Sequence, residues 1–499
     1  MSVLKKFAGQ TLIYGLSTII ARLINYILTP VLVWIYPAAV FGIFTNLYAY
    51  AAILNAILAF GMETTFFRFL QKHAEKPDAV RNNSFFFILL MSSVFLLGTL
   101  LFAPAIANWL FDEKGPVYVD YIYLFAGILV LDALAVIPFA QIRAAGKPLR
   151  FGMIKLSNVA TIVIFTLLFI VVLPYVVKHD LPGADWIGGW LKDGWIGYVF
   201  LANLIASFVT LILLIPELSR LKLQYNKVLM REMLLYSTPI LIANLSFIIN
   251  ETLDKIFLIK LLPLEIGARD LGIYGAVSKL AVFLSIFINA FRLGAEPFFF
   301  SHAKAPDSGK TYAMIMDYFV IAVCLAVVGI VGNIEILKYF ITGSDEVQKA
   351  LYWSGLDIVP VLLMGYVFLG VYINLSIWYK LSDQTRFGLY ISLIGALITI
   401  VLNVIFIPGY SYEASAWITA IVYFTMMVLS FILGQKNYRI PYNVLKNSLY
   451  ILSAAALSWI CFDVFERNLI AGNAIFAIFI LITFFAERKQ LFTLLSKSK

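Results

Sequence analysis

Fourteen long apolar runs constrain this chain more than any other feature. They lie near 11–36, 41–67, 84–110, 117–142, 153–177, 195–216, 233–262, 271–301, 312–340, 351–379, 387–407, 412–434, 444–465 and 470–486. A helix that crosses the hydrocarbon core of a bilayer needs about 20 mainly apolar residues. Lipid offers no partner to a backbone amide, so only helices and closed barrels span it. Barrel strands would alternate polar and apolar residues over about 10 positions, and runs such as Ala160 to Val172 do not alternate. The expectation is an all-α polytopic membrane protein with about fourteen transmembrane helices.

Composition closes the other routes. Hydrophobic residues are 62% and charged residues 13%, against roughly 45–50% and about 25% in soluble domains. A water-soluble core cannot hide that excess, because burial is limited by surface-to-volume scaling. A soluble enzyme, a disordered tail protein and a secreted disulfide scaffold are therefore excluded. Cys324 and Cys461 both lie in apolar stretches, so no disulfide framework is implied. The three histidines, His73, His179 and His302, are far apart in loops or at loop edges, which argues against a histidine metal site. Lys5 and Lys6 precede an apolar run, but it continues to about Tyr36 and carries Arg22. It is too long for a cleavable leader and reads as the first span.

Basic residues give the orientation. About 25 of the 37 lie in the loops and termini on one side, among them Arg68, Lys72, Arg143, Lys147, Arg150, Lys155, Lys304 and Lys380. The positive-inside rule places that side, with both termini, in the cytoplasm of a cell (inner) membrane. The net charge of +9 then reflects cytoplasmic loops and implies no nucleic-acid partner. The longest outer loop, about Lys178 to Gly194, holds Trp186 and Trp190 and reads as an interfacial segment.

The chain repeats itself. Gly61-Met62-Glu63-Thr64-Thr65-Phe66-Phe67 and Gly294-Ala295-Glu296-Pro297-Phe298-Phe299-Phe300 both read G-x-E-x-x-F-F. Phe41-Gly42-Ile43-Phe44 matches Leu271-Gly272-Ile273-Tyr274, Arg150-Phe151-Gly152 matches Arg386-Phe387-Gly388, and Tyr14 with Ala21-Arg22-Leu23 matches Tyr236 with Ala243-Asn244-Leu245. The order and the slowly drifting offset point to one duplication. It spans six helices, an even number, so the halves share orientation and are related by an axis along the membrane normal. The expectation is two pseudo-symmetric six-helix lobes around a central cavity, over 1–222 and 223–438, with two additional helices and a cytoplasmic tail in 439–499.

An ionisable group at membrane depth is costly and usually faces protein or a water-filled cavity. Arg22, Lys255, Lys279 and Arg292 qualify among the bases, and Glu63, Asp132, Glu251, Asp254, Glu296, Asp317 and Asp357 among the acids. Arg22 has no acid one turn away and either lines a cavity or pairs with Asp132 or another acid across the bundle. Glu251 and Lys255 are i,i+4 neighbours that can neutralise each other, as can Arg292 and Glu296. Lys279 has no local acid, which favours a cavity role. Glu63 and Glu296 hold equivalent repeat positions and read as a symmetric structural contact, with Arg68 or a helix cap as partner. Enzyme signatures are absent. Gly309-Lys310-Thr311 looks like the end of a phosphate loop, but the earlier glycine position is Lys304. No cofactor or metal is implied.

With these features together, the sequence resembles the polysaccharide-biosynthesis flippases of the multidrug/oligosaccharidyl-lipid/polysaccharide exporter superfamily. The resemblance rests on Gly61-Met62-Glu63 through Arg68-Phe69, Tyr236-Ser237-Thr238-Pro239, Asp254-Lys255, Gly272-Ile273-Tyr274 through Lys279-Leu280, Pro297-Phe298 and the Lys380 to Arg386 link. It implies an alternating-access flippase that moves a polyprenyl-pyrophosphate-linked oligosaccharide to the outer leaflet for O-antigen or capsule assembly. It further implies contact with membrane lipids and other polysaccharide-assembly proteins, and a cationic cavity built from Arg22 and Lys279, with Lys255 and Arg292. A lipid II flippase or a cation-coupled multidrug exporter of the same superfamily are the alternatives. A polymerase or lipid-using glycosyltransferase would need a sizeable outer loop, and the loops here are short.

The orientation has a direct test. A cysteine placed at Ser344 should be labelled by an impermeant thiol reagent from outside the cell, and one at Ser308 only from inside. The reverse pattern would invert the topology.

Overall fold

A computed structural model describes residues 26–303 and 305–497. Among them the chain is helical throughout, without a strand. Eleven helices are long and apolar enough to cross a membrane. One of these, Arg386–Asn437, runs for 52 residues and is broken at Ser411, whose φ is 48°. The segments expected at 387–407 and 412–434 are thus two helices that meet at the Ser411 break. Gly197–Leu213 is apolar but shorter, and of the first apolar run only Tyr26–Ile35 falls among the described residues.

The chain divides into two compact units. Of the described residues, the first holds 26–272 with 407–411, and the second the remainder. The first contains α1 (Tyr26–Ile35), α2 (Ala38–Ala59), α3 (Met62–Lys72), α4 (Pro77–Phe111), α5 (Val119–Ala144), α6 (Pro148–Leu167), α7 (Gly197–Leu213) and α8 (Lys227–Leu261). Then comes α9 (Leu264–Ser301), whose first two turns belong to the first unit and the rest to the second. The second unit continues with α10 (Ser308–Gly332), α11 (Val359–Leu375), α12 (Ile377–Leu381), most of α13 (Arg386–Asn437), α14 (Val444–Trp459) and α15 (Leu469–Lys497).

Lipid-facing helices stay apolar on their outer side. On α4, Val94, Leu97, Leu101, Phe102 and Trp109 are all exposed, which costs nothing against acyl chains as apolar as leucine. Helix α9 instead has most of its apolar window buried. Cross-element contacts respect the expected alternation of sides. Lys72 pairs with Glu232 at 2.7 Å and Arg150 with Glu217 at 2.8 Å, joining segments the sequence puts on one side. Lys192–Asp120 and Arg467–Glu335 join segments it puts on the other.

Two repeated motifs acquire physical reasons. Gly61 interrupts the second span with φ +64° between α2 and α3, a conformation open to glycine at little steric cost. A Cβ on Gly42 would overlap the carbonyl oxygen of Ala268, and one on Gly272 would overlap that of Ala38. Each partner sits four residues before the other glycine, so α2 and the start of α9 cross through a reciprocal pair of small-x-x-x-small steps. The kink at Ser411 is held locally: its Oγ donates to Asp270 Oδ2 at 2.6 Å, and Arg269 binds the other carboxylate oxygen.

The crossing is a sharp test of the packing. Gly42→Ala should destabilise the purified protein by about 1–3 kcal/mol through overpacking. Gly98→Ala, where nothing lies within 4 Å, should be neutral or slightly stabilising. Thermal unfolding in detergent reads both, and equal effects would refute the close approach.

Candidate functional site

Charge at membrane depth collects in three places, each inside one unit. In the first unit a cavity of about 460 Å³ lies among α2, α3, α5, α6 and α7, with Glu63, Asp132, Arg143 and Lys155 among its lining residues. Glu63 stands in the first turn of α3, where a carboxylate also meets the helix dipole. Its partner is the Arg143 guanidinium, in the last turn of α5. The partner expected at Arg68 is therefore replaced by a tertiary one. Asp132, about three turns before Arg143 on α5, accepts a hydrogen bond from Ser207 Oγ of α7 at 2.7 Å.

Lys155 is the residue that sequence reasoning missed. Counted there with the cytoplasmic loops, it lies on α6 beyond the start at Pro148 and points into the cavity. Its Nζ stands 4.3 Å from the Phe139 ring centroid, a cation–π geometry. Among the described residues no carboxylate reaches ion-pair distance of it. The signal available in the sequence was periodic: Phe151, Lys155 and Asn158 share one face of α6.

The second place repeats the first. In the second unit a small pocket is lined by Arg292, Glu296, Asn374 and Lys380 among others. Glu296 pairs with Lys380 of α12 at 2.7 Å, so the i,i+4 pairing with Arg292 gives way to a tertiary one. Glu296 follows Glu63 by 233 positions, and Lys380 follows Arg143 by 237. The same carboxylate is thus clamped by a base from the corresponding stretch in both repeats, one position beyond the largest motif offset, the 236 between Arg150 and Arg386. Arg292 is left half-buried beside the pair, and among the described residues no acid forms an ion pair with it.

On α8, Lys255 pairs with the carboxylate of its neighbour Asp254 at 3.1 Å and donates to the Glu251 carbonyl at 2.6 Å. Asp254 is buried and Glu251 exposed. Lys279 is half-buried on α9 and is engaged by neighbouring groups. Arg22 lies outside the described residues.

The third place ties the two C-terminal helices to the second unit. Lys446 of α14 reaches Glu487 of α15 at 2.7 Å and Asp317 of α10 at 3.6 Å, and Tyr450 donates to Glu487 at 3.1 Å. All three charged side chains are at most 15% exposed. Asp317 was recognised as an intramembrane acid, but its partners come from segments more than a hundred residues away.

The family described as "Polysaccharide biosynthesis protein" matches residues 7–300, and the MatE family matches residues 239–405. Among curated proteins no sequence matches. Solved structures share the fold. A lipid II flippase, MurJ, in an inward closed conformation superposes with a TM-score of 0.73 at 12% identity, covering 96% of this chain and all of that one. An inward-facing multidrug resistance MATE transporter gives 0.64 at 13% identity, over 87% and 96% of the two chains. A transporter of the same superfamily from Pyrococcus furiosus, described as having a binding pocket of reversed polarity, gives 0.56 at 13% identity over 90% and 96%. The chain has a MurJ- and MATE-like fold.

Lys446→Met should be the most damaging charge removal, because it leaves two buried carboxylates facing each other. Loss of one partner from such a cluster costs about 3–5 kcal/mol, so the variant should show a markedly lower unfolding temperature and easier proteolysis of α14 and α15. Lys72→Met, at an exposed pair, should cost under about 1 kcal/mol.

Proposed function

We propose, since the chain belongs to the polysaccharide biosynthesis protein family, that it translocates a polyprenyl-pyrophosphate-linked oligosaccharide from the cytoplasmic to the outer leaflet of the cell membrane, for O-antigen or capsule assembly. The observation that carries this reading is the pattern of compensated acids. Glu63, Glu296 and Asp254 each have a basic partner, and Asp132 is hydrogen-bonded by Ser207. Arg292 has no such counter-ion among the described residues. An exporter of cationic drugs calls for open carboxylates; a carrier of a diphosphate calls for open bases. An arginine suits the latter because its planar guanidinium can hold two phosphate oxygens at once.

The division of labour follows from transfer costs. Phosphate charge and sugar hydroxyls are expensive in hydrocarbon, whereas the polyprenyl tail is at home there. The head group crosses among polar side chains, exposed first to one side and then to the other, and the tail stays in lipid. Arg292, with Arg22 and Lys279, serves the diphosphate, and Lys255 contributes less because Asp254 already holds it. The neutralised acids keep the interior from repelling the cargo. Both termini lie in the cytoplasm in this reading.

Deletion of the gene should leave lipid-linked oligosaccharide on the cytoplasmic leaflet and strip the surface of its polysaccharide. Arg292→Gln should insert normally and export about tenfold less or worse, the loss expected when a charged hydrogen bond disappears. A deletion strain that keeps its surface polysaccharide and becomes sensitive to cationic dyes would instead identify a drug exporter. One that accumulates lipid II would identify a peptidoglycan-precursor flippase.

A further inference from the structure

The cavity of the first unit has a charge balance that suits neither a diphosphate nor a drug cation. Its basic groups are Arg143 and Lys155 and its acidic groups Glu63 and Asp132, two of each. Arg143 and Glu63 satisfy one another. Lys155 and Asp132 line the same space without closing an ion pair, the first resting on Phe139 and the second on Ser207. A diphosphate entering here would meet two carboxylates, and a cation would meet Lys155, each an unfavourable encounter at low dielectric. An uncharged molecule with many hydroxyls would meet separate donors and acceptors on opposite walls.

We infer that this cavity is a carbohydrate subsite, holding one sugar residue of the lipid-linked oligosaccharide while its diphosphate is held elsewhere. This inference rests on the flippase reading above. Three amides supply directional hydrogen bonds. Asn158 Nδ2 donates to Thr210 Oγ1 at 2.9 Å and Asn203 Nδ2 to the Tyr48 hydroxyl at 2.7 Å. These bonds fix both side chains and leave their carbonyl oxygens for sugar hydroxyls. Asn55 lines the cavity with no protein hydrogen bond among the described residues. The second oxygen of Asp132 accepts a further hydroxyl, and Lys155 donates to a ring or carbonyl oxygen. The Phe139 and Phe151 rings, packed against each other 5.3 Å apart at 69°, add an apolar edge to the lining beside the polar groups. The volume of about 460 Å³ falls in the range of small-molecule sites, about 300–1,000 Å³. The sugar specificity of the carrier resides in Asn55, Asn158 and Asn203.

The test is cysteine protection in membrane vesicles containing the full-length protein. Cys324 and Cys461 are buried, so a thiol introduced by Ala59→Cys or Val136→Cys, on the cavity lining but outside the amides that would bind the sugar, is the reactive one. The two positions lie on different helices, so each variant guards against a folding defect in the other. Two probes are compared: lipid-linked oligosaccharides extracted from the parent strain, and undecaprenyl pyrophosphate without sugar. At about three times its Kd, the glycosylated lipid should slow labelling about fourfold, because only the empty fraction reacts. The sugar-free lipid should have no effect. Protection by both lipids would assign the cavity to the diphosphate or tail, and protection by neither would remove the subsite; each overturns the inference. The flippase reading fails separately: a deletion strain without accumulated lipid-linked oligosaccharide refutes it even if protection is seen, and accumulation without protection refutes the subsite alone.

Discussion

Everything in this molecule answers to the cost of placing charge and unpaired backbone in a medium that cannot hydrate them. That cost makes the described chain helical throughout. It also decides where its few charged residues are tolerated. Exposed positions on α4 carry valine, leucine, phenylalanine and tryptophan. Membrane-depth acids are found with a base or a hydroxyl: Glu63 with Arg143, Asp132 with Ser207, Asp254 with Lys255, Glu296 with Lys380, and Asp317 and Glu487 with Lys446. Removing water strengthens each of these contacts and raises the cost of breaking it.

The duplication survives in those contacts more clearly than in the residues themselves. Glu63–Arg143 and Glu296–Lys380 use different bases, so a residue-by-residue comparison sees only the glutamates. What has been kept is the interaction, a carboxylate at the end of one span clamped by a cation after the next but one. The reciprocal crossing of Gly42 with Ala268 and Gly272 with Ala38 shows the same economy. A small residue every fourth position lets two backbones meet where a side chain would hold them apart.

The fold class was legible because hydrophobic length is a local property, readable in any window of the sequence. Repeat motifs were legible for the same reason. Side-chain partnership was not, because Arg143 lies 80 residues from Glu63, and Lys446 more than a hundred from Asp317. Nothing in the spacing of a single helix reports such meetings, so the local i,i+4 pairing of Arg292 with Glu296 looked sufficient and was not the one formed. Lys155 was misplaced for a related reason. A lysine close to a span boundary reads as loop by charge alone, whereas α6 begins seven residues earlier and carries it inward. The boundary between two expected spans was legible too, and it falls at Ser411, whose non-helical φ divides Arg386–Asn437 into two helices.

In the proposed function, Arg292 and the balanced cavity would separate two tasks that carrying a glycolipid sets on one head group. A diphosphate needs net positive charge, which is non-specific and can be supplied by an arginine without a counter-ion. A sugar needs directional donors and acceptors and no net field, which is what two acids, two bases and three amides around one cavity provide. Placing both tasks in one pocket would set the carboxylates that read hydroxyls against the phosphates. On that proposal, keeping the acids of the cavity hydrogen-bonded or paired, and leaving a base open elsewhere, would let the same chain attract an anion and still discriminate among neutral sugars.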